Sequence, residues 1–145
     1  MAVTVVIDAN VALATALPLP YSSDADRHID VWRASRAPMV VPLLWVYEVT
    51  TGLRRAMWEK LIDQTELDEA LDLVDALDLE MVRPSRELTR AALGWAARLD
   101  QSKAYDGQYL AVAELLKAEF WTADRRLARS LADRGVPWSH WIGEG

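Results

Sequence analysis

Four acidic residues stand where a folded chain tends to place chemistry: Asp8, Glu48, Asp106 and Asp124. Asp8 ends the apolar run Val3-Thr4-Val5-Val6-Ile7, and Asp124 follows Phe120-Trp121-Thr122 closely. Open parallel sheets bind their ligands beyond the carboxyl ends of the strands, so both carboxylates are expected at one crevice. Asp106 opens a helical pattern, where the positive end of the helix dipole favours a carboxylate. Glu48 lies beside the apolar stripe Trp45, Val49, Leu53, Met57 of another helix. Four carboxylates gathered at one rim repel one another, and protons or a cation must settle them. An all-oxygen donor set suits Mg²⁺ or Mn²⁺. Such an ion polarises a phosphate and activates water. An acid of this kind taken alone is more often a turn or cap residue than a ligand; the joint pattern points to chemistry.

These positions depend on the elements around them. Residues 3–7 read as a buried strand, 11–17 as a short helix ended by Pro18 and Pro20, and 39–41 as a second strand. Ser22 or Ser23 is expected to cap the next helix, whose apolar face is Ala25, Ile29 and Trp32. Pro42 suits the first position of the helix that carries Glu48. Thr65 is expected to cap an acidic helix with Leu67, Leu71, Val74 and Leu77 on its buried side. Residues 79–82 form a third strand, and Ser85 caps the helix with Leu88, Ala91, Ala92, Trp95 and Leu99. The pattern from Asp106 to Lys117 is the clearest helix of all. Residues 120–122 give a fourth strand. The basic helix from Arg125 to Arg134 is closed by Gly135 and Pro137, and residues 136–142 form an edge strand. Strands alternating with helices predict one α/β domain, with a central parallel sheet of four to five strands and helices on both faces.

Composition narrows the function classes. The chain has 145 residues, 52% of them hydrophobic and 26% charged, which is enough for one domain with a real core. It has no cysteine, so thiolate zinc sites, disulfides and cysteine nucleophiles are excluded, and a reducing cytosol fits. No signal peptide or membrane span is read, so a soluble, cytoplasmic protein is expected. His28 and His140 have no motif around them, which argues against a histidine-based ribonuclease. The net charge of −6 is concentrated: residues 61–80 hold eight acids and no base, leaving 14 acids against 16 bases elsewhere. A nucleic-acid partner is therefore compatible with the charge. Arg125, Arg126 and Arg129 follow Asp124 and are candidates for phosphate contact, with a solvated helix face as the plain alternative; Arg54 and Arg55 have the same two readings. Of seven tryptophans, Trp45 and Trp95 fit the core. Trp138 and Trp141 are read as edge packing before base stacking or a partner contact.

Four stretches resemble a known family. Val6-Ile7-Asp8-Ala9-Asn10-Val11 is similar to the opening motif of the PIN-domain family. Pro42 through Glu48 and Val49 resembles the second motif, Ala104-Tyr105-Asp106-Gly107-Gln108-Tyr109-Leu110-Ala111-Val112-Ala113 the third, and Phe120-Trp121-Thr122-Ala123-Asp124-Arg125-Arg126-Leu127 the fourth. They occur in family order across nearly the whole chain, so a single PIN-like domain over 1–145 is expected. Size and arrangement are most similar to the VapC-type toxins of toxin–antitoxin pairs. That resemblance implies an Mg²⁺-dependent endoribonuclease, homodimeric, restrained by a cognate antitoxin. It implies that Asp8, Glu48, Asp106 and Asp124 bind metal, with Asn10 and Thr122 supporting them through hydrogen bonds. Many relatives carry a hydroxyl residue where this chain has Asn10. The expected reaction is hydrolysis of an RNA phosphodiester by metal-activated water, leaving a 5′-phosphate and a 3′-hydroxyl.

Other readings compete. A haloacid-dehalogenase-type phosphatase wants a second Asp two positions after the first, where this chain has Asn10. A receiver domain wants paired early acids and a late lysine at a strand end, and neither is evident. The stronger rival is a PIN-like module that binds RNA or protein without turnover. A nuclease for structured DNA is a third possibility, because no residue recognisably reads the 2′-hydroxyl.

Overall fold

The computed structural model describes residues 3–143. In chain order the elements are β1 (Val5–Ile7), α1 (Ala9–Ala16), α2 (Ser22–Ala34), β2 (Met39–Pro42), α3 (Leu44–Trp58), α4 (Gln64–Asp75) and β3 (Glu80–Val82). They continue with α5 (Arg86–Arg98), α6 (Tyr105–Leu116), β4 (Glu119–Thr122), α7 (Arg125–Asp133) and β5 (Ser139–Trp141). The strands form one five-stranded sheet, all parallel, in the order β3-β2-β1-β4-β5. The chain therefore leaves β1 toward one edge and returns through β4 to the other. The gap between β1 and β4 is a topological switch point, the place where α/β sheets hold ligands. Asp8 and Asp124 follow these two strands.

Helices cover both faces, as the alternation of elements requires. Phe120 and Trp121 are neighbours in β4, so their side chains point to opposite sides. Phe120 meets Tyr109 of α6, while Trp121 packs among His28 and Trp32 of α2 and His140 of β5. Helix α6 packs on β1, β2 and β4 and also against α5. Enclosed on two sides, it buries every residue from Tyr109 to Ala113. Its closeness to α5 depends on Gly107, where an added Cβ would run into the backbone carbonyl oxygen of Ala92. Trp138 is half-buried edge-on against Trp95, and Trp141 packs edge-on to Tyr21 under Arg125. Both tryptophans are packing residues of the β5 edge.

Four local expectations are corrected. Pro42 closes β2 and does not begin α3. β1 pairs with β2 only as far as Val40, so at Pro42 the strand has a neighbour on one side, where a missing N–H costs little. Asp63, not Thr65, caps α4: its carboxylate accepts from the Glu66 N–H at 2.9 Å and Glu66 accepts from the Asp63 N–H at 3.1 Å. That reciprocal spacing satisfies two orphan donors, and a cap at Thr65 would satisfy one. Leu67, Val74 and Leu77 face inward as expected, but Leu71 is exposed and Ala70 takes its place on the buried side. Neither Ser22 nor Ser23 caps α2. The Ser22 hydroxyl bonds back into the preceding loop, donating to the Leu17 carbonyl at 2.6 Å and accepting from the Leu19 N–H at 2.8 Å.

Candidate active site

The four acids line one cavity of about 480 Å³ at the carboxyl end of the sheet. Asp8 enters from the end of β1 and is buried. Glu48 enters from α3, where Thr51, Gly52 and Arg55 share its face and also line the cavity. Gly52 leaves room for the Leu13 side chain of α1, which a Cβ there would meet. Asp106 stands in the first turn of α6. Asp124 is exposed at the rim and caps α7, accepting from the Leu127 N–H at 3.1 Å.

A small hydrogen-bond network ties β1 to β4 beneath the cavity. The buried Thr122 hydroxyl donates to Asp8 Oδ2 at 2.9 Å and accepts from the Asp124 N–H at 3.0 Å. Asn10 Nδ2 donates to Asp8 Oδ2 at 3.3 Å and to Thr122 Oγ1 at 3.2 Å, and its Oδ1 accepts from the Ala123 N–H at 2.8 Å. An amide donates and accepts at once, which a hydroxyl with its single proton does in fewer directions. Two further supports carry no sequence signal of their own. The Tyr109 hydroxyl donates to Glu48 Oε1 at 2.6 Å, and Gln101 Nε2 donates to Asp106 Oδ2 at 2.9 Å. Tyr109 lies one turn after Asp106 on the same face of α6, and that spacing is the one hint available.

The electrostatics are those of crowded acids that no ion pair offsets among the described residues. Burial, then the neighbouring charge of Asp106, push the Asp8 carboxyl up to about 7; the Thr122 hydrogen bond opposes this and the Glu48 charge adds to it. Burial raises Glu48, against the Tyr109 hydrogen bond, and Asp106 adds to the rise. Burial also raises Asp106, against the Gln101 hydrogen bond, and the charge of Asp124 adds to it. The Tyr109 hydroxyl is pushed far up by burial and by Asp8 and Glu48, so it stays a donor. Among the described residues no lysine or arginine is ion-paired with any of the four acids.

The donor chemistry fits a divalent cation. Among the described residues no group of three or more histidine, aspartate or glutamate side chains is arranged to grip an ion outright. Glu48, Asp106 and Asp124 each turn one oxygen to a protein donor, and the other accepts no hydrogen bond among the described residues. Hard oxygen ligands held this way, in a site where negative charge is penalised, are what Mg²⁺ or Mn²⁺ takes. The basic candidates separate: Arg55 lines the cavity, while Arg125, Arg126 and Arg129 are exposed on α7 and do not. Arg125 lies over the Trp141 ring at 5.0 Å.

Comparison with known proteins agrees with this geometry. Solved structures share the fold, two among them at high coverage. One is a toxin–antitoxin complex from Klebsiella pneumoniae, at 17% identity and TM-score 0.67, covering 96% of this chain and 98% of that one. The other is a crystal structure of PAE2754 from Pyrobaculum aerophilum, at 22% identity and TM-score 0.70, covering 99% of this chain and 86% of that one. No curated protein matches the chain in sequence. The family model for the PIN domain matches residues 5–130, a span that contains all four acids and every strand but the last, and the chain belongs to the PIN-domain family.

Proposed function

We propose that the protein is a Mg²⁺-dependent endoribonuclease and the toxin of a toxin–antitoxin pair. The observation that carries the reading is the convergence of Asp8, Glu48, Asp106 and Asp124 on one cavity, with no lysine or arginine among the described residues ion-paired to them. Asp8, Glu48 and Asp106 hold the ion, and Mn²⁺ is an acceptable substitute. The chemistry that a divalent cation supplies there is polarisation of a phosphate and activation of water near neutral pH. Asn10 and Thr122 keep Asp8 in place, Tyr109 orients Glu48, and Gln101 orients Asp106. Asp124, at the rim with an unpaired oxygen, helps hold a second ion or orients the attacking water. Arg55 faces the cavity and is the basic side chain best placed to meet a backbone phosphate. Water attacks phosphorus in line, the bond to the 3′-oxygen breaks, and that oxygen takes up a proton. The products are a 5′-phosphate and a 3′-hydroxyl.

PIN-domain membership and a fold shared with a toxin–antitoxin complex support an antitoxin partner for this chain. A homodimer and a cytoplasmic setting complete the reading; among the described residues no helix is long and apolar enough to cross a membrane. The test is cleavage of mixed cellular RNA by partner-free protein in Mg²⁺, in EDTA, and by Asp106→Asn. Discrete fragments with 5′-phosphates, lost in EDTA and reduced at least 100-fold in the variant, are expected. Wild type that cuts nothing, or a variant that cuts equally well, would leave a PIN-like module that binds without turnover.

A further inference from the structure

Beside the acidic cavity lies a second, more apolar hollow of about 280 Å³. Leu44, Tyr47 and Tyr105 line both, so the two spaces adjoin. The helical register makes them adjoin. On α6, Asp106 and Tyr109 face the acids, while Tyr105 and Gln108, also one turn apart, face the hollow. On α3, Leu44 and Tyr47 face the hollow, and Glu48 with Arg55 faces the acids.

The lining has the composition of a base-binding site. Tyr47 and Tyr105 are 62% and 55% exposed, and neither hydroxyl has a hydrogen-bond partner among the described residues. Gln108 is half-buried, and its side-chain amide is likewise without a partner among the described residues. Arg83 stands exposed at the margin. Tyrosine rings offer flat faces on which any nucleobase stacks. A glutamine amide offers one donor and one acceptor to the edge of an unpaired base. The hollow is at the small end of ligand pockets, which run upward from about 300 Å³, and suits one planar base better than a protein helix. A base is joined to its phosphate through a single sugar. A base flanking a phosphate held at the acids therefore rests in this adjoining hollow or is left in water.

We propose that the hollow is the subsite for the nucleobase next to the scissile phosphate, with Tyr47 and Tyr105 as its stacking faces and Gln108 as the group that discriminates between bases. The proposal rests on the nuclease reading above. It requires a single-stranded substrate, since a base paired in a duplex cannot enter.

Two measurements on the full chain test it. The first maps the cut sites left in cellular RNA by wild type, Tyr47→Ala, Tyr105→Ala and Gln108→Ala in Mg²⁺, with kcat and KM on an intact RNA that spans one of those sites. The second follows fluorescein-labelled decamers of adenylate, cytidylate or uridylate binding to Asp8→Asn, with and without the tyrosine changes. Removing either tyrosine is expected to raise KM and weaken decamer binding about 10-fold, the scale of one base–aromatic stack. Gln108→Ala is expected to flatten the base preference beside the cut. Tyrosine variants that bind the decamers and select cut sites as before overturn the proposal. So does a tyrosine variant that turns a dimer into a monomer in sedimentation with decamer binding unchanged, since the hollow is then a contact between copies. Tyrosine-dependent decamer binding by a wild type that cuts nothing upholds the subsite and sinks the nuclease reading. Cleavage with tyrosine-independent binding does the reverse.

Discussion

Asp8 is buried at the end of β1 beside two other carboxylates, and its carboxyl is pushed up to about 7 from 3.8. Folding therefore takes up a proton between those two values. The stability tied to this group is whole below about pH 3.8, declines as the pH rises toward 7, and is gone above it. A gap of this size corresponds to roughly 4 kcal/mol at most. In EDTA at pH 8, Asp8→Asn is expected to be more stable than wild type by up to roughly that amount, with the difference vanishing near pH 4. Urea denaturation across that range measures it, and equal stability at pH 8 would refute the electrostatic picture. A site that is costly without its cation is a common trade of stability for function. At this scale the acids were legible because each follows a strand or sits in a helix register. Gln101 was not, and Tyr109 only through its one-turn spacing from Asp106: their contacts with Asp106 and Glu48 are set by the fold. The three α7 arginines were legible as basic, but helix direction places them outside the cavity that Arg55 lines.

Elements deliver these residues through close contacts between helices. Gly107 brings α6 against α5 and stands beside Asp106 in the chain. Gly107→Ala is expected to push the two helices apart at about 1–3 kcal/mol, and to weaken divalent-ion binding because Asp106 moves with α6. Thermal melts together with Mn²⁺ titration separate the two effects; a variant that melts and binds as wild type would show that the contact yields freely. The helices themselves were legible from periodicity, and the Ser85 cap from its residue type. Helix ends were harder, for a physical reason. Helices α2 to α6 are each followed by a non-glycine residue in the left-handed region (Arg36, Lys60, Asp78, Asp100 and Lys117), and only α7 by a glycine, Gly135. Helices α2, α3, α5 and α6 close on the same local backbone bond as α7, for example the Ala37 N–H to the Trp32 carbonyl, but without glycine the turn leaves no mark in residue type. Pro42 misled because proline is tolerated both at a helix start and at a strand end. Its place depends on where β1 stops pairing.

At the scale of the whole molecule, the alternation of short apolar runs with helices was enough to indicate a parallel α/β sheet. The strand order β3-β2-β1-β4-β5 was not readable, since parallel strands of three or four residues carry little pairing information in their side chains. That order is what turns Asp8 and Asp124, 116 positions apart, into neighbours across a switch point. The net charge of −6 would argue against RNA if spread evenly, but 61–80 alone holds eight acids. On the proposed reading the four acids act together as the seat of a divalent cation. The most direct test of that claim is Mn²⁺ binding followed by electron paramagnetic resonance at pH 7.5, on wild type, Asp8→Asn and Asp106→Asn, with competition by Mg²⁺. The expected result is saturable Mn²⁺ binding by wild type, displaced by Mg²⁺ and weakened at least 10-fold in both variants. Wild type that binds no Mn²⁺ at millimolar concentration, or variants that bind it equally well, would contradict the claim.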